Sequence, residues 1–264
     1  MQVIIKKASL MGAFFIALLV CGSAVNLAWS HSCGKAQVNQ YAEVAYVYDG
    51  DSVRLTDGRQ VRFIGMDTPE ISRKEGSQSE PFAEKARRTL IKLLGKDRQI
   101  GLAFDKEKKD RYGRYLAHGY TADGMNISAY MLKQGMAKTM VIPPNTRYAE
   151  CYYVNEKKAR EHVAGIWGLV DYKVVPVKQL KNKALDYQIV EGEVSDVYET
   201  KRAIKIVLER KLTVTIKKAD LAYFKALSLD SLHGKRLHVR GAVFRTKKGL
   251  IMPIRHKSAM ELAF

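Results

Sequence analysis

Residues 41–64 read YAEVAYVYDGDSVRLTDGRQVRFI, and this stretch predicts a meander of β-strands. Apolar and aromatic side chains recur at every second position, first along residues 44–48 and then along residues 53–63. Asp-Gly dipeptides at positions 49–50 and 57–58 interrupt the alternation, and Asp-Gly is typical of a tight turn between antiparallel strands. We therefore expect neighbouring strands that are joined by short turns.

The residues that follow predict helices packed against further strands. Apolar residues at helical spacing, followed by a glycine, predict three helices at residues 81–95, 126–134 and 147–164. Two more strands are predicted at residues 100–104 and 115–120. With the meander, these elements predict an α+β domain over residues 37–169.

A second β-rich domain is predicted over residues 187–264, after a basic linker at residues 170–186. Three strands, a helix at residues 219–227 and two more strands follow one another, which is the order of an OB-type barrel. The motif EVAYVY at residues 43–48 has a counterpart, EVSDVY, at residues 193–198. Two related barrels in tandem and a chance similarity between two meanders both explain this repeat.

The charge of the chain predicts a polyanionic partner. Its 264 residues include 45 Lys and Arg against 27 Asp and Glu, a formal net charge of +18. Such a surplus favours nucleic acid or an anionic membrane as the partner. A hydrophobic content of 47% excludes global disorder, and three cysteines exclude a miniprotein built on disulfides.

Residues 1–30 are typical of an export signal. Lys6 and Lys7 precede an uncharged apolar run, and small residues stand near Ser30, where we expect cleavage. The alternative is an uncleaved N-terminal membrane anchor, because the run is long enough to span a bilayer. We therefore expect a periplasmic or secreted protein. In such an oxidising compartment Cys33 and Cys151 are expected to form a disulfide, the alternative being a buried thiol at Cys151.

Acidic residues cluster in two places along the first domain. Asp49 and Asp51 flank the first Asp-Gly turn, and the sequence Asp-Thr-Pro-Glu ends a later strand at Asp67 and Glu70. Antiparallel strands that bring these segments together would gather three or four carboxylates, which require a cation among them. Oxygen ligands without His or Cys favour Ca²⁺ or Mg²⁺.

Two arginines complete a pattern suited to phosphodiester cleavage. Arg62 lies in the strand before Asp67, and Arg114 lies in a basic segment, DRYGR, at residues 110–114. A metal, a carboxylate and two guanidinium groups at one point can orient water, accept its proton and stabilise charge on phosphorus. The alternative for each arginine is a solvated surface charge.

The order and spacing of these motifs resemble the staphylococcal-nuclease type of thermonuclease over residues 37–168. The resemblance also covers Asp105-Lys106 and the sequence Gly-Ile-Trp at residues 165–167. It implies a five-stranded OB-fold barrel with three helices, here followed by a second OB-like barrel. It also implies Ca²⁺-dependent cleavage of DNA and RNA.

The resemblance assigns a metal role to four residues. Asp51 and Asp67 resemble the carboxylate ligands of Ca²⁺, and Thr68 resembles the ligand that uses its backbone carbonyl. Asp49 would stand behind these ligands rather than among them.

The resemblance also assigns the catalytic and substrate contacts. Glu70 resembles the carboxylate that acts through the attacking water, and Arg62 and Arg114 resemble the arginines on the scissile phosphate. Arg111 and Tyr112 resemble the contacts to the substrate's terminal phosphate. Arginine stands at 111 where the family usually has lysine, and it can make that contact through two nitrogens.

One loop departs from the family pattern, and the second barrel differs from the first. The loop TMVIPPN at residues 139–145 has no aromatic residue where the family's type member has two tyrosines, so we expect altered base stacking. The second barrel lacks the acidic motifs, and its 16 basic against 8 acidic residues predict a module that docks single-stranded or duplex nucleic acid.

Two other functions compete with a monomeric nuclease. A protein with this fold could hold DNA at the cell surface without cutting it, although a pure binder has no use for Arg62, Glu70 and Arg114 together. A protein that binds anionic lipid would need an amphipathic helix with a large apolar face, which the sequence lacks. No small-molecule cofactor is expected.

Overall fold

The computed structural model describes residues 33–34, 37–181, 185–225 and 228–263. The signal segment predicted for residues 1–30 lies outside this part of the chain. Within it, no helix has both the length and the apolar character needed to cross a membrane.

The first half of the chain forms a closed β-barrel. Its strands and those of a small accompanying sheet are β1 (Gln40–Val47), β2 (Ser52–Leu55), β3 (Gln60–Phe63), β4 (Gly65–Asp67), β5 (Gln99–Lys109), β6 (Tyr115–Thr121) and β7 (Lys138–Met140). The barrel order is β1-β2-β3-β6-β5, closed between β1 and β5, and its one parallel pair is β3 with β6. Strands β4 and β7 form a separate antiparallel pair beside the barrel.

Three α-helices cover this barrel: α1 (Ala83–Leu94), α2 (Ile127–Lys133) and α3 (Ala149–Glu161). Helix α1 buries one stripe at Ala83, Ala86, Leu90 and Leu94, which is the spacing of an amphipathic helix. Helix α2 is capped at its N terminus by Asn126, whose side chain accepts a hydrogen bond from the backbone N–H of Ala129. The three predicted helices are all present, each shorter at its ends than predicted.

The second half repeats the same connectivity. Its strands are β8 (Val174–Pro176), β9 (Leu185–Glu199), β10 (Ala203–Leu208), β11 (Leu212–Lys217), β12 (Arg236–Thr246), β13 (Gly249–Ile254) and β14 (Met260–Leu262). Strands β9, β10, β11, β13 and β12 follow one another in a sheet that closes where β12 pairs with β9, and β11 with β13 is its parallel pair. The prediction of two OB-type barrels is confirmed. The repeated motif lies in β1 and β9, which are the corresponding strands.

The segment predicted as a linker, residues 170–186, is partly built into the second barrel. Strand β8 pairs in parallel with β9, and Val177 and Leu180 are buried in the second core. The basic residues of this segment predict a solvent-exposed linker, and its few apolar residues show no pattern that indicates which of them face inward. Residues 218–224, which overlap the helix predicted at residues 219–227, form 3₁₀ turns. Apolar spacing over so short a run does not distinguish a 3₁₀ turn from an α-helix.

The two barrels belong to one compact unit and pack directly on each other. Ile189 of β9 packs with Ile166 and Trp167, which follow α3, in an apolar cluster between them. Beside it, Arg240 of β12 donates from Nη1 to the buried carboxylate of Glu156 on α3, at 2.9 Å.

A disulfide ties the segment before β1 to α3. Cys33 and Cys151 are joined with an S–S distance of 1.95 Å across a sequence separation of 118 residues. Cys33 is buried in the core of the first barrel.

Candidate active site

The turn between β1 and β2 places Asp51 against the segment that follows β4. Asp51 is 1% exposed, and its Oδ2 accepts hydrogen bonds from the Thr68 backbone N–H at 2.8 Å and from the Thr68 hydroxyl at 3.1 Å. A Cβ at Gly50 would lie 2.6 Å from the Thr68 side chain, so the turn needs glycine for this close approach. The two acidic motifs are thus in direct contact.

Arg62 lies between the two predicted carboxylate ligands. Its Nη1 contacts Asp51 Oδ1, and its Nη2 donates to Asp67 Oδ1 at 2.6 Å. Asp67 is also held by Lys138, whose Nζ lies 2.5 Å from Oδ2. Burial raises the pKa of Asp67, but the charges of Lys138 and Arg62 outweigh it, so the net pKa is lowered and the carboxylate is ionised.

Lys138 reaches Asp67 because β4 and β7 are antiparallel and pair these two residues in register. They are distant in sequence, and local patterns give no reason to join them. Lys138 is therefore a residue of the site that no sequence motif predicts.

Glu70 stands just beyond this cluster. Its backbone N–H donates to Glu80 at 2.9 Å. Burial raises the pKa of the Glu70 carboxyl, and the charges of Asp49 and Asp67 raise it further. Burial likewise raises the pKa of Asp49, whose carboxylate accepts from the backbone of Asp51 at 3.1 Å.

The segment after β5 carries the second predicted arginine. Asp110 Oδ2 accepts from Arg114 Nε at 2.8 Å, while its Oδ1 accepts from the backbone N–H groups of Tyr112 and Arg114. The exposed ring of Tyr112 lies under the guanidinium of Arg111, 4.7 Å from its centroid. One carboxylate therefore organises the whole DRYGR loop.

Two clefts meet at these residues. A cleft of about 580 Å³ is lined by Arg62, Asp67, Glu70, Arg111, Tyr112 and Arg114, among others. A smaller one, of about 350 Å³, is lined by Asp49, Glu70 and Arg114 together with Tyr48 and Arg73. Glu70 and Arg114 face both. Every predicted catalytic and substrate-binding residue thus lies on one cleft, whereas Asp51 and Thr68 lie buried behind it.

Comparison with known proteins agrees with this arrangement. The sequence profile of the family described as staphylococcal nuclease homologue matches residues 60–168. The thermonuclease of Staphylococcus intermedius is 35% identical over 127 residues, which cover 47% of this chain and 74% of that protein. The chain belongs to the staphylococcal nuclease homologue family.

Two further relatives match about half of this chain. Endonuclease YncB and the prophage-derived endonuclease YokF, both of Bacillus subtilis, are each 33% identical over 129 residues, or 47% of this chain. The chain spans 60% of the first and 43% of the second. The family profile ends at Gly168, before the second barrel begins.

The acidic cluster of this family member has the donor chemistry of a site for a hard cation. Asp51 and Asp67 are carboxylates turned toward one point, where the positive charge is now that of Arg62. Among the described residues, no group of three or more His, Cys, Asp or Glu side chains has metal-site geometry, and the predicted set contains only two carboxylates. The recorded contacts of Thr68 with Asp51 use its N–H and hydroxyl, so ligation by its carbonyl stays a prediction.

The end of β7 and the loop after it form an apolar wall of the larger cleft. Met140 and Ile142 line it, and the peptide bond between Pro143 and Pro144 is cis. Arg255, from the second barrel, lines the same cleft. Arg255 could not be predicted from the sequence, because the residues around it do not resemble a family motif.

Proposed function

We propose that the chain is a nuclease that hydrolyses phosphodiester bonds of DNA and RNA with the help of Ca²⁺. The observation that carries this proposal is the position of Arg62, which bridges Asp51 and Asp67 on the cleft that Glu70 and Arg114 also line. The names thermonuclease and endonuclease among its relatives support the same reaction class.

Asp51 and Asp67, with the carbonyl of Thr68, are the groups that would hold the ion. Bound Ca²⁺ would neutralise charge on a phosphate oxygen and polarise the attacking water. Arg62 would then exchange its carboxylate partners for phosphate oxygens, which match a guanidinium in geometry and charge.

The remaining chemistry belongs to Glu70 and the arginines. The pKa of Glu70 is raised by burial and by neighbouring acids, which makes its carboxylate a better proton acceptor for the attacking water. Arg62 and Arg114 would stabilise the charge that develops on the phosphorus oxygens. Arg111 and Tyr112 would bind a further phosphate at the mouth of the cleft.

The test is degradation of plasmid DNA and of RNA with Ca²⁺ and with a chelator. We expect Glu70→Gln to lower the rate by roughly 10²- to 10⁴-fold and Arg114→Gln by roughly 10²- to 10³-fold. Glu84→Gln and Arg88→Gln, at exposed positions of α1, are the matched controls. Undiminished cleavage in either site variant would refute the assignment, and DNA binding without cleavage by the wild type would favour a pure binding protein.

We further propose that the protein is exported and acts as a monomer. The disulfide between Cys33 and Cys151 supports an oxidising compartment. N-terminal sequencing of the exported protein should begin near residue 31, whereas retention of residues 1–30 would favour the membrane anchor. Size-exclusion chromatography with light scattering should give the mass of one chain.

A further inference from the structure

Arg255 is a cation that the second barrel contributes to the cleft of the first. It directly follows β13, and its Nη2 donates to the backbone carbonyl of Pro143 at 3.3 Å. Pro143 belongs to the loop whose Ile142 and Asn145 line the larger cleft. The guanidinium therefore lies where the two barrels meet at the mouth of this cleft.

The position of Arg255 is set by a buried carboxylate. Asp220, with 5% of its side chain exposed, accepts from Arg255 Nε at 3.1 Å and from Nη2 at 3.2 Å. This two-point contact fixes the plane of the guanidinium before any ligand arrives. Nη1 makes no hydrogen bond to another described residue, and 47% of the Arg255 side chain is exposed. The guanidinium is therefore fixed in position, has Nη1 available for a ligand and is accessible to solvent.

The lining of the cleft indicates what this nitrogen would bind. Arg62, Arg111 and Arg114 line the same cleft, so Arg255 is the fourth guanidinium on it. Four carboxylates line this cleft as well, and two of them, Asp67 and Asp110, are already paired with Arg62 and Arg114. Among the described residues, the carboxylate that pairs with Arg255 is that of Asp220, so a phosphate of a bound strand is a suitable further partner for its planar cation.

We propose that Arg255 binds a backbone phosphate of the nucleic-acid strand in the cleft, so that the second barrel completes the substrate-binding surface. This inference rests on the proposed nuclease function, because the same strand must occupy the cleft. It assigns the second barrel a specific contact beside the reaction centre rather than only a distant docking surface.

Binding of a fluorescently labelled single-stranded DNA oligonucleotide, measured by anisotropy over a range of salt concentrations, tests the proposal. All variants carry Glu70→Gln, and gel electrophoresis verifies that the oligonucleotide stays intact. A phosphate contact to single-stranded DNA contributes about 0.7 to the slope of log K against log salt. We expect the slope for Arg255→Gln to be smaller by that amount. The ratio of the parental binding constant to that of the variant should then fall about fivefold over a tenfold rise in salt. Arg88→Gln should keep the parental slope.

A second variant separates the phosphate contact from folding. Arg255→Gln leaves Asp220 buried without its partner, whereas Asp220→Asn combined with Arg255→Gln removes both charges and leaves the net charge unchanged. The double variant should fold and show the same loss of slope as the single variant. A parental slope in the double variant, or equal slopes in Arg255→Gln and Arg88→Gln, would overturn the proposal.

The outcomes also separate this inference from the nuclease assignment. If the wild type cleaves DNA but the slope does not depend on Arg255, only the present inference fails. If the wild type neither cleaves nor binds DNA, both fail.

Discussion

Replacing Arg240 by methionine should destabilise the protein far more than the same change at Arg236. Both arginines lie on β12 and both pair with a glutamate, Arg240 with Glu156 at 2.9 Å and Arg236 with Glu191 at 3.0 Å. They differ in burial, since the Arg240 and Glu156 side chains are 5% and 0% exposed and those of Arg236 and Glu191 are 53% and 31% exposed.

Burial sets the expected magnitudes. Removing one partner of a buried ion pair costs about 3–5 kcal/mol. Arg160 Nε, which lies 3.2 Å from Glu156 Oε1, stays beside the carboxylate, so we expect a cost toward the lower end of that range. At about 2–4 °C per kcal/mol for a protein of this size, the melting temperature of Arg240→Met should fall by roughly 6–20 °C. An exposed pair contributes about 0–1 kcal/mol, so Arg236→Met should shift it by less than about 4 °C.

Thermal unfolding followed by circular dichroism measures both shifts. A third variant, Arg240→Met with Glu156→Leu, removes both charges and leaves Arg160 paired with Glu261 at 2.9 Å. Part of the loss should be recovered, because the buried carboxylate that faced Arg240 is then replaced by an apolar side chain, although Arg160 Nε also loses its contact with Glu156 at 3.2 Å. Recovery should be incomplete, because the backbone N–H of Thr139 donates to Glu156 and loses its acceptor.

Two results would refute this reasoning. Equal shifts for Arg240→Met and Arg236→Met would mean that burial of the pair does not set its energetic contribution. A double variant as destabilised as the sum of its two single variants would mean that Arg240 and Glu156 act independently.

Three further predictions concern stability. Gly65→Ala should lower the free energy of unfolding in chemical denaturation much more than Gly58→Ala, although both glycines have φ near +90°. A Cβ at Gly65 would lie 2.1 Å from a buried tyrosine ring, whereas one at Gly58 would meet nothing within 4 Å. Burial raises the pKa of Glu261, but hydrogen bonds and charges from neighbouring arginines outweigh it and lower the pKa to about 2. The ionised Glu261 carboxylate therefore stabilises the fold above its unfolded-state pKa, and the free energy of unfolding should fall as the pH drops from about 4.5 to 2. Glu261→Gln should reduce this dependence of unfolding on pH. Reduction of the disulfide between Cys33 and Cys151 should add two hydrogens to the intact mass and lower the free energy of unfolding by about 2–4 kcal/mol. An unchanged melting temperature in reductant would contradict a stabilising disulfide.

Much of the fold could be predicted because its signals are local. The alternation in residues 41–64 produced β1, β2 and β3 with their Asp-Gly turns, and the apolar stripe of α1 matches its buried face. The part of residues 170–186 that packs into the second barrel could not be predicted for the complementary reason. Val177 and Leu180 show no periodicity in the sequence, and they are core residues because they pack with side chains of the second barrel.

The sequence alone determined which chemistry the first domain could carry. Acids and arginines of the right type, in the order of a known family, are properties of short motifs, and the side chains required for phosphodiester cleavage can be read from them. It also determined the positive charge that favours a nucleic-acid partner.

Tertiary structure alone decided which of these charges meet. Lys138 reaches Asp67 through the pairing of two short strands, Arg240 reaches Glu156 across the barrel interface, and Arg255 reaches the cleft from the other barrel. Each contact joins side chains from separate elements of the fold. Charged contacts between separate elements follow no periodicity in the sequence. They form only where hydrophobic packing has brought together the strands and barrels that carry the two side chains.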